Sequence, residues 1–391
     1  MYPVIKNCLA LCLVLLSHTG LGYLSPIDER LFYAIHNGNL PAVQKSVAQG
    51  ANLEAKDEER RTPLIIACYY GHISIVKFLI DHGVDIEATD SKGVSALHYA
   101  CYEGRYAVVK MLIKAGAYIE VRDAEGRRPI HLACGEGHLP IIKFLAKQGT
   151  NLEAQSNLNG RPLHFAAANG HEDAVLFLLD QGVKIDVQDN DQYTPLLHAC
   201  GAGHFQVVKI LLEKGAQGAT KSIWGRTPLH LAAAHGHSEI VSLLLDWGFS
   251  IDARDKEGDT PLHLAGKFGH PEVVALLLEH QAPIGVQNEL GWTPLHATCS
   301  NGASEWDKIA AIQLLIGSGA QIESKDIYGN TPTRIAQDAG YFDIVAYLGE
   351  LITQDIQIIT SPTNKPTTMA LCWPAAAIKP YSCNLQIQNR H

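Results

Sequence analysis

The chain has 391 residues, 47% of them hydrophobic and 18% charged, which is enough apolar material for a large core. Its formal net charge of −9 argues against binding nucleic acid or an anionic membrane surface, because both need a broad basic face. We therefore expect a folded, soluble class of protein.

The first 22 residues differ from the rest of the chain. Lys6 precedes an apolar run from Cys8 to Leu16, and the small residues Gly20 and Gly22 follow. This order is typical of a secretory signal peptide. The alternative is a short N-terminal anchor, but the run is well below the ~20 residues that span a bilayer as a helix. We predict a signal peptide over residues 1–22, a secreted or exported protein, and no stable membrane span.

A unit of 33 residues then repeats along the chain. Its Thr-Pro start at Thr62 recurs at equivalent positions every 33 residues: Ser95, Arg128, Arg161, Thr194, Thr227, Thr260 and Thr293. The next copy starts at Thr331, 38 residues later (331 − 293), so one copy carries five extra residues. Upstream, the stretch from Glu29 keeps the apolar pattern without Thr-Pro. We predict an array over residues 23–350, with an N-terminal capping repeat at 29–57.

Each copy predicts two short helices and a turn. Thr227 can cap a helix, Pro228 is favoured in its first turn, and Gly236 ends it. A second helix follows, with apolar pairs one turn apart that mark a buried face: Ile240 and Val241, then Leu244 and Leu245. A glycine and an Asp-x-x-Gly turn come next, as at a hairpin tip.

One such unit is too small to bury both of its helices, so neighbouring copies must supply the other wall. The predicted fold is all-α, an α-solenoid of about ten helix-turn-helix repeats with projecting β-hairpin tips. We expect a monomer.

The stretches "TPLHLAAAHGHSEIVSLLLDWG" from Thr227 and "TPLHLAGKFGHPEVVALLLEHQA" from Thr260 resemble ankyrin repeats, which share this period and the TPLH tetrapeptide. The resemblance covers about residues 29–350, with nine motif-bearing copies. It implies a binding module that contacts a protein partner along a concave face formed by hairpin tips and the ends of first helices. It also implies that recurring histidines brace the fold through backbone hydrogen bonds.

Twelve of the 19 histidines fall in two repeating columns. The first follows Thr-Pro-Leu and the second follows the glycine after the first helix: His98, His131, His164, His230, His263 and His296, then His72, His138, His171, His204, His237 and His270. A zinc site needs three or four ligands at one point, whereas a column spaces them by a helix-packing distance. We predict scaffold histidines, no metal and no cofactor. No catalytic motif such as G-x-S-x-G or a P-loop appears, so we predict no enzyme activity.

The cysteines also form a column, at Cys68, Cys101, Cys134, Cys200 and Cys299. Packed helices lie ~8–10 Å apart, too far for disulfides between column neighbours, so we expect reduced, buried thiols. Cys372 and Cys383 remain as a plausible pair. The chain thus combines a predicted export signal with a repeat array whose cysteines are expected to stay reduced. This combination suggests delivery into another reducing compartment, such as the cytosol of another cell.

An acidic column offers two interpretations. Glu54, Glu87, Glu120, Glu153, Asp186, Asp252 and Glu323 recur once per copy, with interruptions at Ala219 and Gly285. The row could attract a basic partner, or it could be the solvated edge of the hairpins.

Partner-binding residues are expected where copies disagree at the hairpin tips and first-helix ends, especially Tyr, Trp and Arg, which often dominate interfaces. The candidates are Tyr69, Tyr70, Tyr102, Arg127, Tyr193, Trp224, Arg226, His235, Phe268, Trp292 and Tyr328. The alternative for the tip aromatics is that they pack on the next hairpin.

The C-terminal part holds three further features. The five extra residues lie near Ser300–Leu315 and either lengthen a loop or helix start, presenting Trp306 outward, or form a local kink. The last repeat is predicted at 327–351 and a disordered tail at 351–391. An alternative function makes that tail the active segment of a structural or regulatory adaptor. A further one is an effector that acts inside another cell.

Overall fold

A computed structural model describes residues 24–360 of the chain, with side chains up to residue 353. The predicted signal peptide, the candidate Cys372–Cys383 pair and the tail beyond residue 360 lie outside these residues. Twenty α-helices fill the described part, in ten consecutive pairs. The predicted all-α solenoid of about ten repeats is confirmed.

The pairs run in chain order with short connections. They are α1 (Pro26–His36) and α2 (Leu40–Ala48); α3 (Pro63–Tyr70) and α4 (Ile73–Asp81); α5 (Ala96–Tyr102) and α6 (Tyr106–Lys114); α7 (Pro129–Gly135) and α8 (Leu139–Lys147); α9 (Pro162–Ala168) and α10 (Glu172–Asp180); α11 (Pro195–Ala202) and α12 (Phe205–Glu213); α13 (Pro228–Ala234) and α14 (Ser238–Asp246); α15 (Pro261–Lys267) and α16 (Pro271–Glu279); α17 (Pro294–Cys299) and α18 (Glu305–Gly317); α19 (Pro332–Ala339) and α20 (Phe342–Thr360).

First helices are short because their caps fix both ends. The Thr227 hydroxyl accepts a hydrogen bond from the amide of His230, and Pro228 occupies the first turn, where no donor is lost. In the first nine repeats, each first helix packs on its own second helix and on the first helix of the next repeat. The core therefore runs continuously through the stack, as the 33-residue period requires.

The apolar columns of the second helices form the outer part of that core. Ile240, Val241 and Leu244 of α14 are fully buried, and the equivalent residues of the other regular repeats are buried too. All five column cysteines are buried free thiols, as predicted. Burial raises the pKa of the Cys299 thiol to about 12, so it stays protonated and unreactive at neutral pH.

The predicted β-hairpins are wrong in detail. Among residues 24–360 the β-pairing is a single antiparallel bridge between Thr89 and Ser95. The tips are tight turns in which the amide of the first residue donates to the carbonyl of the fifth, and regular strand pairing does not continue beyond them in the described residues. These turns nevertheless occupy the predicted places.

The N-terminal repeat begins earlier than predicted. Helix α1 starts at Pro26, and the Ser25 hydroxyl accepts a hydrogen bond from the Asp28 amide at 3.2 Å. Ser25-Pro26 is therefore the counterpart of Thr62-Pro63, but it lies 37 residues upstream (62 − 25) rather than 33. Because the first helix of this repeat is longer, its start does not lie at a 33-residue interval from the next repeat.

The five extra residues lengthen both the loop and the second helix of their repeat. Helix α18 has 13 residues where the regular second helices have nine, and Trp306 in its first turn is exposed, as expected. Lys308 of α18 is fully buried, and its Nζ donates to the carbonyls of Lys267 (3.0 Å), Thr298 (2.9 Å) and Ser300. The insertion thus brings its own internal support.

The chain divides into two units, Met1–Val345 and Ala346–His391. The boundary falls within α20, which continues to Thr360, so the predicted start of a disordered tail at residue 351 is wrong for residues 351–360. The predicted end of the last repeat is too early because Ile352, Ile356 and Ile359 continue the apolar spacing of α20 past Leu351. No helix in the described part is both long enough and apolar enough to cross a bilayer.

Candidate partner-binding surface

Each tip is a five-residue turn closed by its first side chain. In the turn from Asp90 to Val94, the carboxylate accepts the amides of Lys92 and Val94, both at 2.8 Å, and the Asp90 amide donates to the Val94 carbonyl at 3.1 Å. Where aspartate is replaced, a hydroxyl or amide oxygen does the same work: Ser222 Oγ accepts the amide of Arg226 at 3.3 Å. The turns are therefore rigid despite their exposure.

Successive tips are joined by a backbone ladder. The second residue of each tip donates its amide to the carbonyl of the third residue of the preceding tip, as from Lys256 to Trp224 at 2.9 Å and from Glu289 to Glu257 at 3.0 Å. The ladder runs unbroken from the tip at Glu59 to the tip at Ile327. Side chains on the tips are thus presented from a continuous, preorganised edge, which lowers the entropy lost on binding.

Six first helices carry a histidine of the first column, and this histidine joins its helix to the following repeat. His230 Nδ1 accepts the amide of Thr227 at 3.3 Å, and its Nε2 donates to the carbonyl of Asp259 at 3.0 Å. Burial lowers the pKa of His230 to about 4, as it does for His131, His164 and His263. These imidazoles are neutral at pH 7 with both nitrogens engaged.

The second histidine column ties each repeat to the one before it. His237 Nε2 donates to the carbonyl of Gly201 at 3.2 Å, and the other members contact the carbonyl 36 residues upstream in the same way. The ring lies against the glycine of the preceding repeat: a Cβ at Gly203 would lie 2.6 Å from His237. Both columns perform the bracing that the resemblance implied.

The repeat with the insertion has no histidine in the second column, and a lysine takes over its hydrogen bond. Ala303 stands where the histidine would lie, 33 residues after His270. His270 donates to the carbonyl of Ala234 at 3.0 Å, and Lys308 donates to the carbonyl of Lys267, which lies 33 residues after Ala234. A lysine from the lengthened helix therefore satisfies the carbonyl that a histidine satisfies elsewhere.

The carboxylates of the acidic column form hydrogen bonds within the protein. Each of the carboxylates of Glu54, Glu87, Glu120, Glu153 and Asp186 accepts the backbone amide 31 residues further on, at 2.6–2.9 Å. This bond ties each repeat to the next. Neither proposed interpretation, an attractive row or a solvated edge, anticipated it. Sequence alone shows the column but not the amide that it meets.

Four of the eleven predicted binding residues are exposed: Tyr102, Trp224, His235 and Tyr328. Tyr102 and His235 lie at first-helix ends, whereas Trp224 and Tyr328 lie on tips. His235 Nδ1 contacts the carbonyl of Leu231 at 2.9 Å, and its ring stacks on His237 with centroids 6.1 Å apart. The outer edge of the imidazole remains available.

The two predicted arginines are already paired. Arg127 bonds Asp123 at 2.8 Å and Glu125 at 3.1 Å, and Arg226 lies 3.5 Å from Asp255 of the next tip. Both side chains are half-buried. The guanidinium groups lie against the tip carboxylates, so only part of each side chain is open to a partner, and their role in binding stays a prediction.

The remaining candidates are half-buried aromatics. Trp292 donates from Nε1 to Asp326 of the next tip at 3.2 Å, and Tyr193 packs edge-on against Trp224 at 6.0 Å. This is the alternative in which tip aromatics pack on the next turn. The others contact neighbouring side chains. The rings of Tyr69 and Tyr70 pack edge to face with centroids 5.0 Å apart, and the ammonium of Lys267 lies 6.0 Å from the centroid of the Phe268 ring.

A cleft of about 550 Å³ lies between the tips and the first helices of the middle repeats. Phe165 and Leu158 line it with apolar surface, while Asn169 and the His198–Asp189 pair, 2.8 Å apart, contribute polar groups. Burial alone would raise the pKa of Asp189, but the bonds from His198 and the Tyr193 amide lower it. The Asp189 carboxylate is therefore ionised at neutral pH.

Arg127, one of the predicted binding residues, also lines the cleft, whereas Leu158 and Phe165 were not predicted. Leu158 lies on a tip and Phe165 follows His164 in a first helix, so both occupy positions that vary between copies, but neither is a Tyr, Trp or Arg. In the described residues no group of three or more His, Cys, Asp or Glu side chains could hold a metal ion. The surface formed by the tips and the exposed sides of the first helices is called the tip face below.

Comparisons with known proteins agree with this architecture. A family profile described as ankyrin repeats (3 copies) matches residues 31–123, 115–189, 182–255, 218–288 and 262–359. The crystal structure of the human ASB11 ankyrin repeat domain is 33% identical over 57% of this chain and 99% of that chain, with a TM-score of 0.52. No curated protein gives a significant match.

Proposed function

Because this chain belongs to the ankyrin repeat family, whose repeats form protein–protein interaction modules, we propose that it binds a partner protein along its tip face. The observation that carries this proposal is the cleft beside Leu158 and Phe165, with exposed Tyr102, Trp224 and Tyr328 on the same series of tips and first helices. Exposed apolar side chains on a rigid, ordered edge lower the solubility of the protein unless a partner covers them.

The binding mode follows from the rigidity of the surface. The cleft accepts an apolar side chain, and the flanking polar groups fix its orientation. The tip ladder holds the neighbouring contacts in place. In this proposal the protein acts as a monomeric binding scaffold and performs no chemistry of its own.

A triple substitution tests the surface. Tyr102→Ala, Trp224→Ala and Tyr328→Ala together should weaken partner capture at least tenfold, because aromatic anchors dominate interfaces. The matched control replaces Tyr118, Trp247 and Trp306, which are exposed on other elements, and should leave capture unchanged. Circular dichroism should stay helical in both variants. Undiminished capture by the first variant would reject the tip face.

Deletion of residues 361–391 separates this function from an adaptor that works through its tail. Capture should survive the deletion if the repeats bind the partner. Loss of capture with intact repeats would favour the adaptor.

We also propose export through residues 1–22, on the sequence pattern described above. The buried free thiols are compatible with delivery into a reducing compartment, such as the cytosol of another cell. A reporter fused to residues 1–22 should leave the producing cell. Retention of the reporter would remove the basis for export.

A further inference from the structure

The third residue of each tip shows an order that the repeat does not require. In chain order these residues are Glu59, Lys92, Glu125, Leu158, Asp191, Trp224, Glu257, Leu290 and Tyr328. Apolar and acidic side chains alternate from Leu158 to Leu290. The fold uses the backbone of this position: its carbonyl accepts in the tip ladder, and its amide donates to the first side chain of the tip in most copies. Neither bond requires a particular side chain there.

The apolar members of the series are open to solvent. Leu158 is 72% exposed, Trp224 46% and Leu290 41%. Each costs free energy in water and offers area to a partner. They lie on every second tip, so one partner could touch all three only by crossing the intervening acidic tips.

The acidic members between them are unlike the earlier ones. Glu59 pairs with Arg61 at 2.9 Å and Glu125 pairs with Arg127 at 3.1 Å, so each of these carboxylates already has a cationic partner. Asp191 and Glu257 are exposed and form no ion pair with any described residue. Each is therefore a carboxylate that a cationic side chain can reach.

The immediate neighbours do not cancel these charges fully. Asp191 lies between Asn190 and Gln192, which are uncharged, and Glu257 follows Lys256. The next tip carries a further exposed carboxylate, Glu289, so the charges of Lys256 and Glu289 cancel in the sum over these tips. The stretch from Leu158 to Leu290 therefore presents alternating apolar and anionic contacts.

The spacing of the tips indicates the conformation of the partner. Neighbouring tips follow the stacking of their helices, about 8–10 Å per repeat. A polyproline II helix has three residues per turn and rises about 3.1 Å per residue, which brings every third side chain to one face at about 9.3 Å intervals. A β-strand would turn every third side chain to the opposite face, since its period is two.

We propose that these five tips bind a partner segment in the polyproline II conformation, with apolar and basic residues alternating at every third position. Apolar residues of the segment meet Leu158, Trp224 and Leu290, and lysine or arginine residues meet Asp191 and Glu257. The proposal rests on the proposed function and names the class of partner segment for the same tip face.

Two synthetic peptides of identical composition test it against the full chain. The first is LPPKPPLPPKPPL, in which leucine and lysine alternate at every third residue. The control rearranges the same residues so that no leucine lies three residues from a lysine. Fluorescence anisotropy should show at least tenfold tighter binding of the first peptide. Equal affinities, or no binding of either peptide, would overturn the proposal.

Variants of the protein give the second readout. Asp191→Asn with Glu257→Gln should weaken the first peptide at least fivefold and flatten the dependence of its affinity on salt. Trp224→Ala should weaken it similarly, while Trp247→Ala, which removes a tryptophan of equal exposure (49% against 46%), should not. If the first peptide binds the Asp191/Glu257 double variant and Trp224→Ala as tightly as it binds the wild type, the proposal is also overturned.

The two proposals fail separately. If the triple variant of the tip face loses its protein partner while neither peptide binds, the tip face is the binding surface and the polyproline II assignment is wrong. If the triple variant keeps its partner, the proposed function itself fails.

Discussion

The buried histidines of the first helices are single residues on which stacking depends. Each one bonds its own helix cap and a backbone carbonyl of the following repeat, so its ring joins two repeats. Burial keeps the ring neutral, and in His131, His164, His230 and His263 it lowers the pKa from about 6.5 to about 4. The bracing is therefore sensitive to acid.

Stability should fall as the pH drops from about 6.5 towards 4. The unfolded chain binds protons at these histidines in that window and the folded chain does not, so acid favours unfolding. For His230 the loss between pH 7 and pH 5 is about 2 kcal/mol. Urea denaturation at both pH values measures it.

Replacement of single histidines checks that assignment. His230→Gln should lower stability at pH 7, because the brace is lost, and should reduce the further loss at pH 5. His235→Gln removes an exposed histidine and should leave the pH dependence unchanged. Equal pH dependence in wild type and His230→Gln would contradict the role of this imidazole.

The tips are the elements that turn a stack of helices into an ordered edge. Their fourth residue needs a positive φ, which Gly225 supplies at +77°. The close approach of the next tip adds a second demand, since a Cβ at Gly225 would lie 2.9 Å from the Lys256 amide nitrogen. Space and conformation together select glycine there.

Gly225→Ala should destabilise the array by about 2–4 kcal/mol, combining backbone strain with overpacking of the ladder. Gly215→Ala is the matched control: its φ is +91°, but nothing lies within 4 Å of an added Cβ. It should cost only the backbone part, about 1 kcal/mol. Thermal denaturation compares the two. Equal losses would mean that the ladder contact contributes nothing.

The lengthened helix α18 depends on Lys308. Lys308→Met removes the ammonium group that donates to the carbonyls of Lys267, Thr298 and Ser300, and should cost about 1–3 kcal/mol. Lys325→Met, at an exposed position, should be neutral within about 0.5 kcal/mol. A stable Lys308→Met protein would show that burying the lysine, whose pKa burial lowers to about 8, costs as much as its bonds return.

Sequence was sufficient for features that recur at the period. The helices, their caps, both histidine columns and the buried thiols follow from composition at fixed 33-residue spacing. The start at Ser25 and the brace from Lys308 do not, because each breaks the period and depends on where a longer helix places its residues. The cleft at Phe165 depends on a three-dimensional gap between tips, and Trp292 is covered by a carboxylate from the next repeat.

For the array as a whole, the hydrogen-bonded ladders make one edge rigid, and selection of a partner falls to a few exposed side chains on it. Specificity in this account depends on tips from several repeats acting together. The tip face, rather than any single repeat, is therefore the unit of recognition.

Site-specific photo-crosslinking tests that claim most directly. A benzophenone amino acid is placed at Trp224 on the tip face or at Trp247 at the end of α14, two positions of nearly equal exposure. The account predicts a covalent adduct with the partner from position 224 and little or none from position 247. An adduct that forms from position 247 and not from position 224 would contradict it.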